Sequence, residues 1–395
     1  MKEKLYLLDL SLWKRSFIRN FFPDWECVFT SRQKFARLAQ KTLATGEHLT
    51  AAFWASHLKN EENRRCCLEL KENPHIRLIF LEDAFIRSLG LGCDFFYPYS
   101  IARDETGIYY DPSEPSTLEL LITGIRERPD HQELLERARK IRKIIVDGHI
   151  SKYYRCPDQD FQRHVGELRE LISRKDPGKP GPGQILFVPC QVDTDASVIT
   201  GGLGYDSLSL VRKLREKNPD ACIIAKVHPD VLQGKRRNST AADDYGRYAS
   251  LVFTSEFSSL ECIEVADEVH TISSYSGFEA LMRGRKVVCY GMPFYAGYGL
   301  TEDVSAEKGE PVAVNTRRRR FNSELTVDDI WAATAILYPV YYNWDRKALS
   351  TPEEVATVMA TSDKTKQSRF FQIRSRILAA VFFKPYNWLT KRKVY

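Results

Sequence analysis

Short apolar runs alternate with amphipathic stretches along the second half of the chain. The apolar runs, which we interpret as strands, are Gln184–Val188, Ala221–Val227, Leu251–Phe253, Val269–Ile272 and Lys286–Tyr290. Between them, apolar residues recur at helical spacing, as in Leu208–Lys217 and Gly277–Arg283. Short buried strands that alternate with helices are typical of a parallel sheet of Rossmann type, and this is the fold we predict for this half.

The first half alternates in the same way. Its candidate strands are Leu5–Leu10, Cys27–Phe29, Ala51–Trp54 and Ile76–Leu81, and helical patterns cover Arg32–Leu43 and Gln132–Asp147. A Pro- and Gly-rich stretch, Asp176–Gly183, predicts a linker between the halves. We therefore predict an α/β protein with two Rossmann-like domains, residues 1–180 and 181–350, that face a central cleft and are followed by a tail, residues 351–395.

Two carboxylates, Glu82 and Asp83, follow the last predicted strand of the first half. Ligands of open α/β sheets bind beyond the carboxyl ends of the strands, so these acids are candidates for general acid or base chemistry. Arg87 is a candidate for bidentate binding of a carboxylate. The alternative is a solvated strand end whose acids cap the next helix.

Gln191, Asp193 and Asp195 follow the first predicted strand of the second half. Two aspartates at this spacing are compatible with a metal pair, with a nucleophile and its neighbour, or with turn formation. Turn formation is the usual role of Asp at a strand end. The sequence offers no evident third acidic ligand nearby, which disfavours a metal.

Lys226, His228 and Pro229 follow the next predicted strand. An ammonium and an imidazole at a sheet edge suit a phosphate, because both can donate hydrogen bonds to its oxygens, and proline fixes the chain behind them. A single His-Pro pair is a weak signal, however. A histidine with a purely structural role is the usual interpretation.

Ser273, Ser274 and Ser276 lie where a predicted strand ends and a helix begins. The first turn of a helix presents free backbone N–H groups and the positive end of the dipole, and serine hydroxyls add donors, so this turn is a candidate phosphate cradle. The alternative is plain N-capping by Ser274 or Ser276. Glu279 lies in the first turn, within reach of a ribose.

The composition is that of a globular protein, with 43% hydrophobic and 28% charged residues and a formal net charge of +6. Its nine cysteines are scattered, which favours reduced thiols in a cytosolic protein over a disulfide framework or a zinc site.

Basic residues cluster at Arg317–Arg320 and along Lys364–Lys393. The second cluster is interleaved with aromatic residues, which predicts an amphipathic helix on an anionic bilayer. A helix packed across the domains is the alternative.

Five segments together resemble the motifs of KpsC/LipB-type capsule β-Kdo transferases, in the same order: Glu82–Gly92, Gln191–Ser197, Lys226–Asp230, Ser273–Gly284 and Val287–Leu300. The resemblance implies a GT-B-like enzyme that takes the acidic sugar Kdo from CMP-Kdo and retains the β configuration. Ala84 and Cys190 stand where these enzymes usually have glycine. Many members carry two such modules, and this chain has room for one.

The resemblance also implies roles for particular residues. Asp195 would be the nucleophile, with Asp193 as the second candidate, and Glu82 would accept the proton of the acceptor hydroxyl. The expected donor-binding residues are Lys226, His228, Pro229, Ser273, Ser274, Ser276, Glu279, Arg87 and Gln191.

No metal or other cofactor is expected. The expected partners are CMP-Kdo, a lipid-linked or Kdo-terminated glycan, the inner-membrane surface and capsule assembly or export proteins, but no nucleic acid. The expected location is the cytoplasmic face of the inner membrane. Two alternative hypotheses remain. The protein could transfer sialic acid or another nonulosonate from a CMP-sugar, or it could be a non-catalytic capsule assembly protein.

Overall fold

The computed structural model describes residues 2–90, 96–175, 183–228 and 242–362. The first sheet contains β1 (Lys4–Leu8), β2 (Glu26–Thr30), β3 (Leu49–Trp54), β4 (Ile76–Asp83), β5 (Ser100–Asp104), β14 (Pro339–Asn343) and β15 (Ala348–Ser350). Within the described chain, these strands lie in the order β15-β14-β5-β4-β3-β1-β2. Neighbours among β1–β4 are parallel, whereas β5, β14 and β15 run antiparallel to the strands beside them.

The second sheet contains β8 (Ile185–Pro189), β9 (Cys222–Lys226), β10 (Leu251–Phe253), β11 (Glu268–Thr271), β12 (Lys286–Cys289) and β13 (Glu302–Asp303). These strands are all parallel, in the order β10-β9-β8-β11-β12-β13. A short antiparallel hairpin, β6 (Ile150–Ser151) and β7 (Tyr154–Arg155), lies between the two sheets in the chain. The predicted α/β class with two sheets is confirmed.

Helices connect and cover the strands. They are α1 (Leu12–Ile18), α2 (Arg32–Thr45), α3 (Glu61–Lys71), α4 (Thr117–Thr123), α5 (His131–Asp147), α6 (Asp158–Lys175), α7 (Ala196–Gly201), α8 (Ser207–Lys217), α9 (Ala242–Tyr245), α10 (Ser259–Val265), α11 (Tyr275–Met282), α12 (Val304–Glu307), α13 (Pro311–Arg320), α14 (Val327–Trp331) and α15 (Pro352–Thr361). Short 3₁₀ turns occupy Arg19–Phe21, Ala55–Lys59 and Ile125–Glu127, and Ala332–Leu337 forms a π-helical turn.

Each sheet has a point at which the strand order reverses. In the second sheet β8 lies between β9 and β11, and in the first sheet β1 lies between β2 and β3. Such a switch point leaves a crevice beyond the carboxyl ends of the parallel strands, where ligands bind. The residues that follow β8 and β11 therefore border the same crevice.

The chain returns to the first sheet near its end. The sequence pattern places residues 339–350 in the second domain, whereas β14 pairs with β5 of the first sheet. The Tyr342 amide donates to the Tyr99 carbonyl at 2.8 Å, and Trp344 Nε1 donates to the Pro98 carbonyl at 2.9 Å. The rings of Tyr342 and Trp344 also pack against Phe21. Burial of these large rings on the first sheet is the physical reason for the difference.

The two halves contact each other close to the strand ends. The ring of Phe85, which follows β4, lies 4.7 Å from that of Phe294 in the second half and 4.9 Å from that of Tyr109 in the first. Thr200 of α7 donates from its hydroxyl to the Tyr110 carbonyl at 3.0 Å. These contacts hold α7 and the loop around Phe294 against the first half.

Part of the basic cluster Arg317–Arg320 has a structural role. Arg319 Nε and Arg320 Nε contact the two oxygens of Glu119 on α4 at 2.8 and 2.7 Å, and Arg320 also donates to the Pro293 carbonyl at 2.8 Å. Arg320 is buried. A buried, doubly paired carboxylate of this kind joins α13 to α4, so half of the cluster is not available to an anionic partner.

The predicted tail begins with α15, which packs on α5 through an ion pair between Arg137 and Glu353 at 2.8 Å. The basic, aromatic segment 364–393 lies outside the described residues. Across the described parts of the chain, none of the helices combines the length and the apolar character that a membrane span requires.

Candidate active site

Gln191 and Ser273 join the ends of β8 and β11 at the crevice of the second sheet. The Gln191 side chain accepts a hydrogen bond from the Ser273 amide at 2.8 Å and donates one to the Ser273 hydroxyl at 3.1 Å. That hydroxyl in turn donates to the Ser197 carbonyl of α7 at 3.0 Å. The structure thus brings these two predicted residues together, and their polar groups brace the crevice wall.

Ser274 caps α11, as the capping alternative predicted. Its hydroxyl accepts a hydrogen bond from the Ser276 amide at 3.2 Å, and its amide donates to the Thr271 hydroxyl at 3.1 Å. The Tyr295 hydroxyl donates to the Ser274 carbonyl at 2.5 Å. A Cβ on Gly277 would lie 2.2 Å from the Tyr295 oxygen, so only glycine allows this close packing of the helix start.

Glu279 does not reach the open crevice. It is 1% exposed, and burial raises its pKa, while hydrogen bonds with Ser151, the Lys152 amide and Ser276 act in the opposite direction. Among the described residues, Glu279 Oε1 is buried without a hydrogen-bond partner, and the ribose contact stays a prediction. Glu279 holds the β6–β7 hairpin against α11.

Lys226 also points away from the crevice. Its ammonium donates to the Thr254 carbonyl beyond β10, and burial lowers its pKa, partly offset by the nearby Cys262 and Glu256. In this arrangement the ammonium is bonded to a backbone carbonyl, and the contact of Lys226 with a donor phosphate stays a prediction. His228 lies half-buried after β9, and Pro229 lies outside the described residues.

Asp195 and Asp193 have different surroundings. Asp195 caps α7, accepting from the Ser197 amide at 3.1 Å and the Ser197 hydroxyl at 3.0 Å. Burial raises the pKa of Tyr109, and the charge of Asp195 across the crevice adds to this effect. The pKa of Asp193 is raised by burial and by Asp206, which precedes α8. The charge of Asp195 therefore acts on residues of the other half.

Glu82 is anchored at the end of β4 by donors from β3, from the turn that follows β3 and from β4 itself. Its carboxylate accepts from Trp54 Nε1 at 2.9 Å, from the Ser56 amide at 3.0 Å and from the Asp83 amide at 3.1 Å. Burial raises its pKa, the charge of Asp83 adds to that, and Lys14 opposes it. A carboxylate whose pKa is raised is a better proton acceptor near neutral pH.

Arg87 is already paired. Its Nε lies 2.8 Å from Asp83 Oδ2, and the Arg87 side chain is 3% exposed. It also donates to the Ser88 hydroxyl at 2.6 Å and the Gly90 carbonyl at 3.3 Å. The guanidinium is therefore ion-paired with Asp83, and a bidentate contact to a ligand carboxylate would have to compete with that carboxylate.

Lys152 is a site residue that the sequence analysis missed. It lies in the turn of the β6–β7 hairpin, with Nζ 3.3 Å from the Asp83 carbonyl and 5.6 Å from the centre of the Phe85 ring. Burial lowers its pKa, and the charges of Asp83, Glu82 and Asp195 oppose this. Lys152 thus sets a cation among the acids of both sheets. It follows no strand of either sheet, so strand-end patterns could not reveal it.

Lys14 is a second missed cation. Its Nζ lies 4.0 Å from the ring centre of Trp54, the residue that donates to Glu82. Burial lowers its pKa to about 8, although the charges of Glu82 and Asp83 act against the shift. An amphipathic helix that carries a lysine beside buried aromatics, as α1 does, was the available signal.

Known proteins share this architecture. The profile of the family described as capsule polysaccharide biosynthesis protein matches residues 60–341. This chain belongs to that family. It is 35% identical over 342 residues to the capsule polysaccharide modification protein LipA of Neisseria meningitidis serogroup A, an alignment that covers 86% of this chain and 43% of that protein. The chain thus spans less than half the length of this curated relative.

Two solved structures from Thermosulfurimonas dismutans are similar to this family member. The KpsC β-Kdo 2,7 transferase shares 31% identity with a TM-score of 0.65, and the match covers 91% of this chain and 99% of that one. The KpsC β-Kdo 2,4 transferase shares 28% identity with a TM-score of 0.66, covering 91% and 98%. The resemblance to KpsC/LipB-type capsule β-Kdo transferases and their GT-B-like fold is thereby confirmed.

Proposed function

We propose that this chain is a retaining glycosyltransferase that moves β-Kdo from CMP-Kdo to a lipid-linked or Kdo-terminated acceptor during capsule polysaccharide assembly. The names of the two solved relatives support the reaction class. The observation that carries the proposal is that Glu82 and Asp195, which follow strands of two different sheets, both act by their charge on the buried Lys152. Acids on either side of a reacting carbon are what a two-step sugar transfer requires.

The second sheet would hold the CMP part of the donor. The first turn of α11 and the half-buried His228 would border the crevice, and the positive end of a helix dipole together with an imidazole suits a single phosphate. Gln191 and Ser273 would keep the crevice wall in place. This arrangement supplies donors without a metal, so we propose that transfer needs no Mg²⁺ or Mn²⁺.

The sugar carboxylate would pair with Lys152. Arg87 is occupied by Asp83, and Lys226 by the Thr254 carbonyl. The charges of Glu82 and Asp195 both act on the Lys152 ammonium, and the sugar ring would lie beside it if the phosphate sat at α11. Burial disfavours the charged form of Lys152, and a sugar carboxylate bound there would stabilise that charged form.

The chemistry would proceed by two inversions. Asp195 attacks the anomeric carbon, the bond to the phosphate oxygen breaks, and CMP leaves with the electron pair. The acceptor hydroxyl then attacks the same carbon while Glu82 takes its proton, and the Asp195 carboxylate is released. Two inversions give net retention. The raised pKa of Glu82 suits a general base.

A donor panel tests the proposal. The protein is incubated with a Kdo-terminated lipid acceptor and either CMP-Kdo generated in place or CMP-sialic acid, and the product is analysed by mass spectrometry and NMR. We expect transfer of Kdo with a β linkage. Transfer of sialic acid alone would support a different nonulosonate transferase, whereas CMP binding without transfer would support a non-catalytic assembly protein.

We also propose that the protein acts at the cytoplasmic face of the inner membrane, where its acceptor and capsule export proteins would meet it. The basic, aromatic segment 364–393 supports this. Truncation after Ser368 should abolish co-sedimentation with anionic liposomes. Unchanged co-sedimentation of the truncated chain would rule out this segment as the anchor.

A further inference from the structure

Three different metal-ligating side chains meet beside the β6–β7 hairpin, away from the crevice acids. Glu261 Oε1 lies 2.8 Å from His164 Nδ1 and 3.8 Å from Cys156 Sγ, and the three ligand atoms all lie within 4.8 Å of one another. Thiolate, imidazole and carboxylate are each common ligands of Zn²⁺.

Each of these side chains is held by a different element. Cys156 follows β7, His164 lies on α6, and Glu261 lies on α10. Cys156 and Glu261 are buried. The second oxygen of Glu261 accepts from the Ser258 amide in a capping box, and this leaves Oε1 facing the cluster. The cluster is therefore fixed by the fold rather than by a single flexible loop.

The geometry is close to that of a tetrahedral zinc site. Ligand distances of 2.0 to 2.3 Å around tetrahedral Zn²⁺ place ligand atoms roughly 3.3–3.6 Å apart. The separations of 2.8 and 3.8 Å lie on either side of that range, and the third pair, His164 Nδ1 and Cys156 Sγ, lies within 4.8 Å, so side-chain rotations of the three ligands would bring the atoms into place. The His164 side chain is 26% exposed, so solvent reaches the cluster and would supply water as a fourth ligand.

Without a metal, a hydrogen bond joins the same atoms. Arg163 Nη2, which can only donate, lies 3.2 Å from His164 Nε2, so Nδ1 carries the ring proton and donates to Glu261. Arg163 is 57% exposed and can turn to solvent. The ring proton then moves to Nε2, the thiol releases its proton, and the metal takes the place of the Nδ1 proton.

We propose that Cys156, His164 and Glu261 form a structural site for Zn²⁺. One thiolate and one carboxylate neutralise the ion, and the thiolate selects it over Mg²⁺ or Mn²⁺. A hydrogen bond between Tyr154 and Cys156 adds an outer partner for the sulfur. The bound ion would fasten the hairpin that carries Lys152 to α6 and α10, which is a role separate from sugar transfer.

Cobalt(II) titration tests the site without any assay of transfer. The metal-free full-length protein should bind about one Co²⁺ with a thiolate-to-cobalt absorption band, and Zn²⁺ should displace it. Cys156→Ser and His164→Gln should each weaken Zn²⁺ binding more than the roughly 10–100-fold that loss of an outer partner costs. Cys66→Ser, which removes a half-buried thiol elsewhere, should bind like wild type.

The cobalt absorption band of the wild-type protein tests the proposal even if a variant fails to fold. A band that is absent in wild type, or that persists in a folded Cys156→Ser protein, overturns the proposal. Zn²⁺ should also raise the melting temperature of wild type and of Cys66→Ser but not of His164→Gln, and an equal rise in all three would overturn it.

Discussion

The carboxyl ends of the two sheets use their polar side chains differently. In the first sheet, Glu82 and Asp83 are acids held by neighbouring donors, and burial of Glu82 raises its pKa. In the second sheet, Gln191 and Ser273 are neutral groups bonded to each other. One edge therefore concentrates charge, whereas the other builds a rigid wall beside helix starts.

This difference assigns separate tasks to the two edges. A wall of neutral donors suits binding of a nucleotide phosphate, and a buried acid with a raised pKa suits proton transfer. Asp195 is linked to both edges. It caps α7, the helix that follows β8 of the second sheet, and its charge acts on Tyr109 and Lys152 of the first half. Lys152 belongs to neither edge.

The largest expected effect comes from Asp195→Asn. Asparagine is as good a helix cap as aspartate, so folding and CMP binding should survive. Loss of a nucleophile should reduce kcat by roughly 10⁴-fold or more, measured as Kdo transfer at saturating donor. Asp193→Asn is the matched control and should stay within a few-fold of wild type. The reverse ranking of the two variants would show that the wrong aspartate has been chosen.

An intermediate loss of ligand affinity should distinguish the residue that binds the sugar carboxylate from the residue that binds the phosphate. Lys152→Met removes a charge-assisted contact worth about 1.5–3 kcal/mol, so affinity for CMP-Kdo should fall by roughly 10–100-fold while affinity for CMP is unchanged. His228→Ala should weaken both ligands to a similar extent. Isothermal calorimetry with the two ligands measures this, and Lys152→Arg should restore most of the affinity. Equal losses for CMP and CMP-Kdo in Lys152→Met would contradict the carboxylate assignment.

The smallest expected effect is a shift of the pH–activity profile on replacement of Lys14. Glu82 must be ionised to accept a proton, and its raised pKa sets the acid limb of the activity profile. Lys14 lowers that pKa, so Lys14→Met should move the acid limb to higher pH, whereas Lys14→Arg should not. Above about pH 8 wild-type Lys14 itself loses its proton, so the profiles should converge there. An acid limb that moves to lower pH in Lys14→Met would exclude Glu82 as the base.

The sequence predicted the parallel strands well because their apolar runs are continuous, as at Ile185–Pro189 and Lys286–Cys289. It misplaced residues 339–350, because a strand that returns to a distant sheet leaves no local signal. Periodicity reports which residues are buried, but not the sheet on which a late strand is buried.

The site was predicted in part for a similar reason. Motif spacing locates residues at strand ends, and Gln191, Ser273 and Asp195 do lie around one crevice. It does not tell which way a side chain turns, so Lys226 and Glu279 were expected to meet the donor although both are buried. Lys152 required knowledge of where the hairpin packs, which only tertiary structure provides.

The most direct test of the account is intact-mass spectrometry of the protein with donor and no acceptor. The protein is mixed with CMP-Kdo generated in place, quenched in acid and analysed, and adducted protein is digested to locate the modification. We predict a mass increase of one Kdo residue on the peptide that contains Asp195, absent in Asp195→Asn and removed when acceptor is added. Wild-type enzyme that transfers Kdo yet never carries the adduct at short quench times, or carries it on another residue, would contradict the account.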